Sequence, residues 1–158
     1  MLAPKHRVAL IGTGRVGYQF NFGALPDNHA EAVVATESCE LVAGVNHGRE
    51  KLEDFGTRFE IQALFHDHRQ MLEEVKPDLC IIATHPELHA QIVEDCAQAP
   101  ATRAIICERP MALSLAECDR MIQVCDHHGV LLQICLLYTS DAADEGLGVD
   151  LGGRRIIK

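Results

Sequence analysis

The sequence predicts an α/β protein whose single domain is a doubly wound parallel sheet. Residues 8–11 and 79–83 form continuous apolar runs, which are typical of strands buried on both faces. Stretches with helical spacing separate these runs from further short apolar segments. Strands that alternate with helices pair in parallel, with helices covering both faces of the sheet.

The first predicted strand runs into a glycine-rich turn of the form GxGxxG at residues 12–17. Gly12 suits the tight turn that leaves the strand, Gly14 lets a ligand approach the backbone, and Gly17 lets the next helix pack closely. The amide groups of residues 13–16 would lie at a helix N-terminus, where partial positive charge suits a pyrophosphate. A plain structural turn is the alternative. The residues predicted to bind a dinucleotide here are Gly12, Thr13, Gly14, Arg15 and Val16.

The remaining elements follow in a regular order. Residues 18–27 are predicted to form an irregular insertion, and a helix follows at about residues 29–36. Further strands are predicted at residues 41–45, 63–65, 79–83, 104–107 and 130–134. Further helices are predicted at residues 49–59, around 71–75, from 86 onward and from 115 to 128. Pro86 suits the first turn of its helix, while Ser114 and Glu117 form a capping box.

In a doubly wound sheet the ligand crevice lies where the strand order reverses, outside the carboxyl ends of the strands. Here the first and fourth strands should meet at that point. Four segments that follow strands are therefore expected around one cleft: Gly12–Val16, Asn46, Thr84–Pro86 and Glu108–Pro110.

Composition narrows the possible partners and compartment. The chain has 158 residues, enough for one domain with a core. Its net charge of −9 argues against nucleic acid or an anionic membrane as a partner. Seven cysteines without a CxxC pair are interpreted as reduced residues of a cytoplasmic protein. We expect neither a signal peptide nor a membrane span, because the first strand begins near the N-terminus and no apolar run is long enough.

Residues 7–134 resemble the N-terminal domain of the Gfo/Idh/MocA family (glucose–fructose oxidoreductase, inositol dehydrogenase and MocA). The matching segments are the glycine-rich turn, Lys76-Pro77-Asp78, Ala83-Thr84-His85-Pro86 with His89 three residues on, and Cys107-Glu108-Arg109-Pro110. The resemblance implies oxidation or reduction of sugars, polyols or related carbonyl compounds with NAD or NADP, by a parent protein that is a homo-oligomer. It also implies that the nicotinamide half of the cofactor lies along Thr84, His85, Pro86 and His89.

Two positions depart from the pattern of the family. The family usually has Glu-Lys-Pro near the nicotinamide and substrate, whereas this chain has Arg109 in place of the lysine. Arginine stays charged, so Arg109, the predicted catalytic residue, can orient a substrate oxygen but does not readily exchange a proton. An acidic residue commonly ends the second strand, whereas this chain has Asn46, which can bond a ribose hydroxyl without repelling a 2′-phosphate. Arg49 is close enough in sequence to bind that phosphate, so the hypothesis is that NADP is accepted or even preferred.

Several candidates have a structural alternative. His85 either faces the cofactor or caps the helix that follows. Glu108 either contacts the nicotinamide ribose or bonds backbone amides of a neighbouring loop, and Arg15 either contacts the cofactor or is a surface charge. Cys107 is interpreted as a core residue. No metal site is predicted, since His66-Asp67-His68 lacks further ligands at recognisable spacing and is interpreted as a solvated turn.

Residues 135–158 do not continue the alternating pattern. Their first and last parts resemble one reading frame through a transposase-type sequencing adapter, so the segment is interpreted as a non-native tail. A genuine glycine-rich tail is the alternative. On this interpretation residues 1–134 are the dinucleotide-binding domain, the substrate domain of the family is missing, and the fragment is expected to be inactive.

Three functions remain open. The first is an NAD(P)-dependent oxidoreductase, whose small-molecule substrate would bind only together with the missing domain. The second is a non-catalytic nucleotide-binding or sensor module, which is compatible with Arg109 in place of lysine. The third is a methyltransferase that binds adenosylmethionine in the same crevice, but this function does not explain Glu108-Arg109-Pro110.

Overall fold

The computed structural model describes residues 4–19 and 26–135. Within these ranges six parallel strands form one sheet in the order β3-β2-β1-β4-β5-β6. The order reverses between β1 and β4, which confirms the predicted doubly wound sheet. The strands are β1 His6–Ile11, β2 Cys39–Val45, β3 Leu64–Phe65, β4 Leu79–Ile82, β5 Ala104–Cys107 and β6 Leu131–Ile134.

Helices connect and cover these strands. The α-helices are α1 His29–Ala35, α2 Arg49–Phe59, α3 His68–Val75, α4 His89–Gln98 and α5 Leu115–His128. A π-helical turn, Arg15–Gln19, follows the glycine-rich turn, and a 3-10 turn, Pro86–Leu88, precedes α4. None of the helices in the described ranges is long and apolar enough to cross a lipid bilayer. Apart from Cys135, the predicted non-native tail lies outside the described residues.

Local side-chain chemistry explains where several helices begin. The side chains of Asn28 and Asp67 accept hydrogen bonds from backbone amides in the first turns of α1 and α3. Ser114 accepts from the amide of Glu117, which confirms the predicted capping box. Gly129, with φ of 67°, ends α5 in the left-handed conformation that favours glycine.

The core lies on both faces of β1, the central strand. Ala9 and Ile11 pack with residues of α3, α4 and α5 on one face. Val8 and Leu10 pack on the other face with Phe55 of α2 and its neighbours. These four residues of β1 are buried, which explains why residues 8–11 are apolar without alternation, whereas His6 and Arg7 at the start of the strand are exposed.

Tyr18 corrects the prediction that an irregular insertion begins at residue 18. It belongs to the π-helical turn and is buried, with its ring edge-on to Phe55 at 5.5 Å between centroids. Its hydroxyl donates to Asp54 Oδ2 at 2.7 Å. A buried aromatic ring whose hydroxyl has a partner stabilises an ordered turn, so the helical turn extends through Gln19. Residues 20–25 of the predicted insertion lie outside the described residues.

Candidate functional site

A cavity of about 430 Å³ opens at the carboxyl ends of β1, β2 and β4. We call it the glycine-turn cavity, because the turn after β1 forms one of its walls. It lies where the strand order reverses, as predicted for the ligand crevice. The predicted cofactor residues that line it are Gly12, Gly14, Arg15, Val16, Asn46, Thr84 and His85.

The glycines of the turn have different surroundings. Gly12 has φ of 104°, and a Cβ there would lie 2.4 Å from the carbonyl oxygen of Ala83. A Cβ on Gly17 would lie 2.3 Å from the carbonyl oxygen of Gly12. No heavy atom lies within 4 Å of a Cβ placed on Gly14. Gly12 and Gly17 therefore allow close backbone packing, whereas the backbone of Gly14 borders open space in the cavity wall.

Thr13 lies beneath the cavity instead of lining it. It is buried, and its amide donates to the carbonyl oxygen of Val45 at 3.3 Å. This bond engages one of the amides predicted to face a pyrophosphate, because Thr13 continues the backbone pairing between β1 and β2. The amides of residues 14–16 are the remaining predicted donors.

Asn46 fastens the end of β2 to the glycine-rich turn. Its Nδ2 donates to the carbonyl oxygen of Thr13 at 2.8 Å and contacts Thr13 Oγ1 at 3.0 Å. Its Oδ1 accepts from the amide of Gly48 at 2.9 Å. Both polar atoms of this side chain thus have partners within the fold, and Asn46 also lines the cavity.

The structure places Arg49 away from the cavity and Lys51 in its wall. Arg49 is the first residue of α2, and its Nε lies 2.7 Å from Oε1 of Glu53 on an exposed helix face. Lys51 lines the cavity together with His47, which follows Asn46. Two residues along a helix correspond to a rotation of about 200° around its axis, so Arg49 and Lys51 lie on nearly opposite sides of α2. Closeness in sequence therefore did not indicate which side chain faces the cavity.

His66 and His68 line the cavity. The interpretation of residues 66–68 as a solvated turn fits His66 and Asp67, which are exposed before α3, but not His68, which is partly buried and begins that helix. Nδ1 of His66 lies 2.8 Å from the carbonyl oxygen of Asn46, and Nε2 of His68 lies 2.7 Å from Oδ2 of Asp95. Asp67, between them, is the N-cap of α3, and hydrogen bonds from the amides of Gln70 and Arg69 lower its pKa. The Asp67 cap, readable from the sequence, could have indicated a helix start at this point.

Of the residues after β4, His85 lines the cavity and His89 does not. His85 is exposed and makes no side-chain capping bond, so the capping alternative is not observed. His89 is buried, with Nδ1 3.0 Å from the carbonyl oxygen of Pro110 and Nε2 3.1 Å from that of Thr84. It joins the turns after β4 and β5. Pro86 begins the 3-10 turn, as its predicted first-turn position requires.

Glu108 lies at the end of β5, outside the cavity lining. Its Oε1 lies 2.7 Å from Nε2 of His29, and its Oε2 accepts from the amide of Arg109 at 3.3 Å. Burial acts to raise the Glu108 pKa, but hydrogen bonds from His29 and Cys135 outweigh burial and lower it. The geometry favours the structural alternative for Glu108. Arg109, the predicted catalytic residue, is exposed beside it.

Cys107 is a core residue, as predicted. It is buried at the end of β5, and burial raises its pKa to about 12. A thiol with such a pKa is protonated near neutral pH and is a poor nucleophile.

His29, Glu108 and Cys135 have potential metal-ligand atoms within 4.8 Å of one another. The hydrogen bonds of Glu108 to His29 and Cys135 explain this proximity. Cys135 is also the first residue of the predicted non-native tail. We therefore do not assign a metal site to this cluster.

A larger cleft of about 600 Å³ lies between α3 and the end of α4. Arg69, Lys76 and Asp95 are among its lining residues, and the glycine-rich turn does not reach it. Its position away from the strand carboxyl ends makes it a weaker candidate for a cofactor site than the glycine-turn cavity.

Known proteins are similar to this chain in sequence and in fold. Residues 6–135 match the family model GFO_IDH_MocA, described as an oxidoreductase family with an NAD-binding Rossmann fold. D-apiose dehydrogenase from Paraburkholderia graminis is 35% identical over 112 residues, which cover 71% of this chain and 29% of that protein. D-xylose 1-dehydrogenase (NADP(+)) from Haloarcula marismortui is 33% identical over 135 residues, covering 81% of this chain and 34% of that protein. The chain thus spans roughly a third of the length of these relatives.

A solved structure gives the same result. The WlbA dehydrogenase from Bordetella pertussis, in complex with NADH and UDP-GlcNAcA, is similar with a TM-score of 0.72 and 28% identity. The similarity covers 83% of this chain and 37% of that one.

Proposed function

Since the chain belongs to the Gfo/Idh/MocA oxidoreductase family and forms an NAD-binding Rossmann domain, we propose that the glycine-turn cavity holds a nicotinamide dinucleotide for reaction with a sugar, a polyol or a related carbonyl compound. The observation that carries the proposal is the backbone of Gly14, which borders the cavity with open space where a Cβ would be. Dinucleotide pyrophosphates require such an approach to the backbone.

The lining residues divide the cavity into three parts. The amides of residues 14–16 would receive the pyrophosphate at the start of the π-helical turn. The adenosine half would extend toward Asn46 and His47 at the end of β2. The nicotinamide half would extend along Thr84 and His85 at the end of β4. The nicotinamide, when bound, supplies or accepts the hydride.

Other residues would shape the reaction from the turns after β4 and β5. Leu88 and Ile92 contribute apolar side chains to the cavity wall. His89 holds the two turns together through the carbonyl oxygens of Thr84 and Pro110. Arg109 would orient a substrate oxygen through its permanent charge and would not carry the proton.

We propose that residues 1–134 are the cofactor-binding domain and that residues 135–158 are a non-native tail. The matched residues cover only 29% and 34% of these two relatives, and their sugar dehydrogenase names support the proposed substrate class. In the complete enzyme, a second domain would supply most contacts to the substrate. Sequencing the natural gene beyond codon 134 would test the assignment of the tail: an uninterrupted reading frame through residues 135–158 would contradict it.

We also propose that the protein acts in the cytoplasm. Cys80, Cys96, Cys107 and Cys125 are buried free thiols, which suits a reducing compartment.

Cofactor binding tests the proposed function directly. We expect NADH or NADPH to bind saturably, seen as a change in nicotinamide fluorescence, and to raise the melting temperature of the chain. Adenosylmethionine is the comparison ligand and should have no effect. Gly14→Val should remove binding without unfolding the protein, because no heavy atom lies within 4 Å of a Cβ at this position. A chain that melts cooperatively but binds neither dinucleotide would contradict the proposal.

A second measurement separates an enzyme from a non-catalytic sensor. The complete natural gene product should reduce NAD⁺ or NADP⁺ in the presence of a member of a sugar and polyol panel. Tight dinucleotide binding without turnover on any member would favour the sensor function.

A further inference from the structure

We infer that the glycine-turn cavity prefers NADP(H) to NAD(H), with Lys51 and His47 as the residues that bind the 2′-phosphate of the adenosine. This inference rests on the proposed function, since it concerns one end of the same dinucleotide site. Its basis is what surrounds the end of β2, where the adenosine ribose lies in this architecture.

The charge of the cavity wall is the first observation. Arg15, His47 and Lys51 line the cavity, and none of the lining residues in the described ranges is an aspartate or a glutamate. The whole chain has a net charge of −9, so this wall is a basic region on an acidic protein. A cleft lined by one sign of charge concentrates ligands of the opposite sign. The additional phosphate of NADP gains more from this wall than the hydroxyl of NAD does.

The side chain of Asn46 is the second observation. A carboxylate at the end of β2 would accept hydrogen bonds from the ribose hydroxyls of NAD and repel a 2′-phosphate. Asn46 brings no charge to this position. Its Oδ1 already accepts from Gly48, and its Nδ2 contacts Thr13. The carboxylate that would favour NAD is therefore absent from this position, and the Asn46 amide in its place forms hydrogen bonds within the protein.

The placement of Lys51 is the third observation. No described carboxylate forms an ion pair with its ammonium group, in contrast to Arg49, whose Nε lies 2.7 Å from Glu53. The hydroxyl oxygen of Tyr18, which donates to Asp54 of the same helix, lies 3.2 Å from the carbonyl oxygen of Lys51. These contacts fasten α2 to the π-helical turn beside the cavity. Lys51 therefore has a fixed backbone and an exposed side chain at the cavity wall.

His47 completes the site from the other side of the same turn. It follows Asn46 directly and lines the cavity with an exposed ring. The backbone before it is held by the contact between His66 Nδ1 and the carbonyl oxygen of Asn46, at 2.8 Å. A ring nitrogen can donate to a phosphate oxygen in either the neutral or the charged imidazole.

Ligand pairs that differ only in the 2′-phosphate test the inference. We expect NADPH to bind at least about tenfold more tightly than NADH, and adenosine 2′,5′-bisphosphate more tightly than adenosine 5′-monophosphate. Raising the salt concentration from about 50 mM to about 500 mM should reduce the NADPH preference, because salt screens exposed charges. Titration calorimetry or nicotinamide fluorescence gives these affinities.

Single substitutions test which residues are responsible for the preference for NADPH. Lys51→Gln should weaken NADPH binding by about tenfold and change NADH binding by less than about twofold. Lys5→Gln makes the same change of charge just before the amino end of β1, whereas the cavity lies at the carboxyl ends of the strands, so it should leave both affinities unchanged. Thermal melting without ligand confirms that both variants fold. A selective loss in Arg49→Gln, with none in Lys51→Gln, would overturn the assignment to Lys51.

The outcomes separate this inference from the proposed function. If neither dinucleotide binds, the proposed function fails. If both bind and NADH binds as tightly as NADPH, the NADP preference alone is overturned. An equal loss of NADH and NADPH affinity in Lys51→Gln would show that Lys51 does not recognise the 2′-phosphate.

Discussion

Nε2 of His29 lies 2.7 Å from Oε1 of Glu108, although the two residues are 79 positions apart in the chain. The contact joins the start of α1 to the end of β5, and the two side chains are 16% and 11% exposed. The other carboxylate oxygen of Glu108 accepts from the amide of Arg109 at 3.3 Å. This pair therefore ties α1 to the residue that directly precedes Arg109, the predicted catalytic residue.

We expect Glu108→Gln to lower the free energy of unfolding by about 1–3 kcal/mol at neutral pH, since a buried charged hydrogen bond is lost. The pKa of Glu108 in the folded state is below its ordinary value of 4.5, because the hydrogen bonds from His29 and Cys135 outweigh the effect of burial. The carboxylate thus stabilises the fold above about pH 4.5, and this contribution is lost as the pH falls through the folded-state pKa.

Urea unfolding of both proteins at about pH 7 and at about pH 3.5 checks this prediction. The difference between wild type and Glu108→Gln should shrink at the lower pH. A difference of the same size at both pH values would show that the charge of Glu108 contributes nothing.

The two outer glycines of the Gly12-Thr13-Gly14 segment should respond differently to alanine. Gly12→Ala should cost about 3 kcal/mol or more, because φ of 104° is strained for alanine and the added Cβ would lie 2.4 Å from the carbonyl oxygen of Ala83. Gly14→Ala should change stability by less than about 1 kcal/mol, since no atom lies near the new methyl group. Thermal unfolding measures both, and equal losses would contradict the packing described for Gly12.

Asn46→Asp should affect stability and cofactor choice together. Aspartate cannot donate to the carbonyl oxygen of Thr13, so we expect the free energy of unfolding to fall by about 1–3 kcal/mol. Its charge should also reduce the NADPH preference by repelling the 2′-phosphate. Asn46→Ala is the matched control: it loses the same donors without adding charge, so it should lose similar stability and keep the preference. Equal NADPH preference in both variants would contradict the charge argument.

His89→Ala should destabilise the fold by about 2–4 kcal/mol, because it opens a cavity and leaves the carbonyl oxygens of Pro110 and Thr84 without their partner. His85→Ala is the comparison, since His85 is exposed and lines the cavity. It should change stability by less than about 0.5 kcal/mol and weaken dinucleotide binding. The reverse pattern in urea unfolding would contradict the placement of the two histidines.

The fold could be predicted from the sequence because its signals are local. The apolar run of β1, the glycines of the turn after it and the Ser114 cap each reflect the geometry of a few consecutive residues. The start and end of each predicted strand agree with the structure within two residues. The alternation of strands and helices predicts a doubly wound sheet, and in that arrangement the ligand crevice lies at the carboxyl ends of the strands where the order reverses, here β1 and β4.

The contacts of single side chains could not be predicted in this way. Sequence proximity favoured Arg49 as a phosphate ligand, but the rotation of α2 against the sheet turns Lys51 toward the cavity. Packing between distant elements also decides that His89 is buried while His85 is exposed. The same is true of the contact between Glu108 and His29. The helices, the strands, the sheet and the position of the cavity could thus be inferred from patterns within the chain. Which side chains face that cavity depends on the folded protein, because helix orientation and burial are set by contacts between segments far apart in the chain.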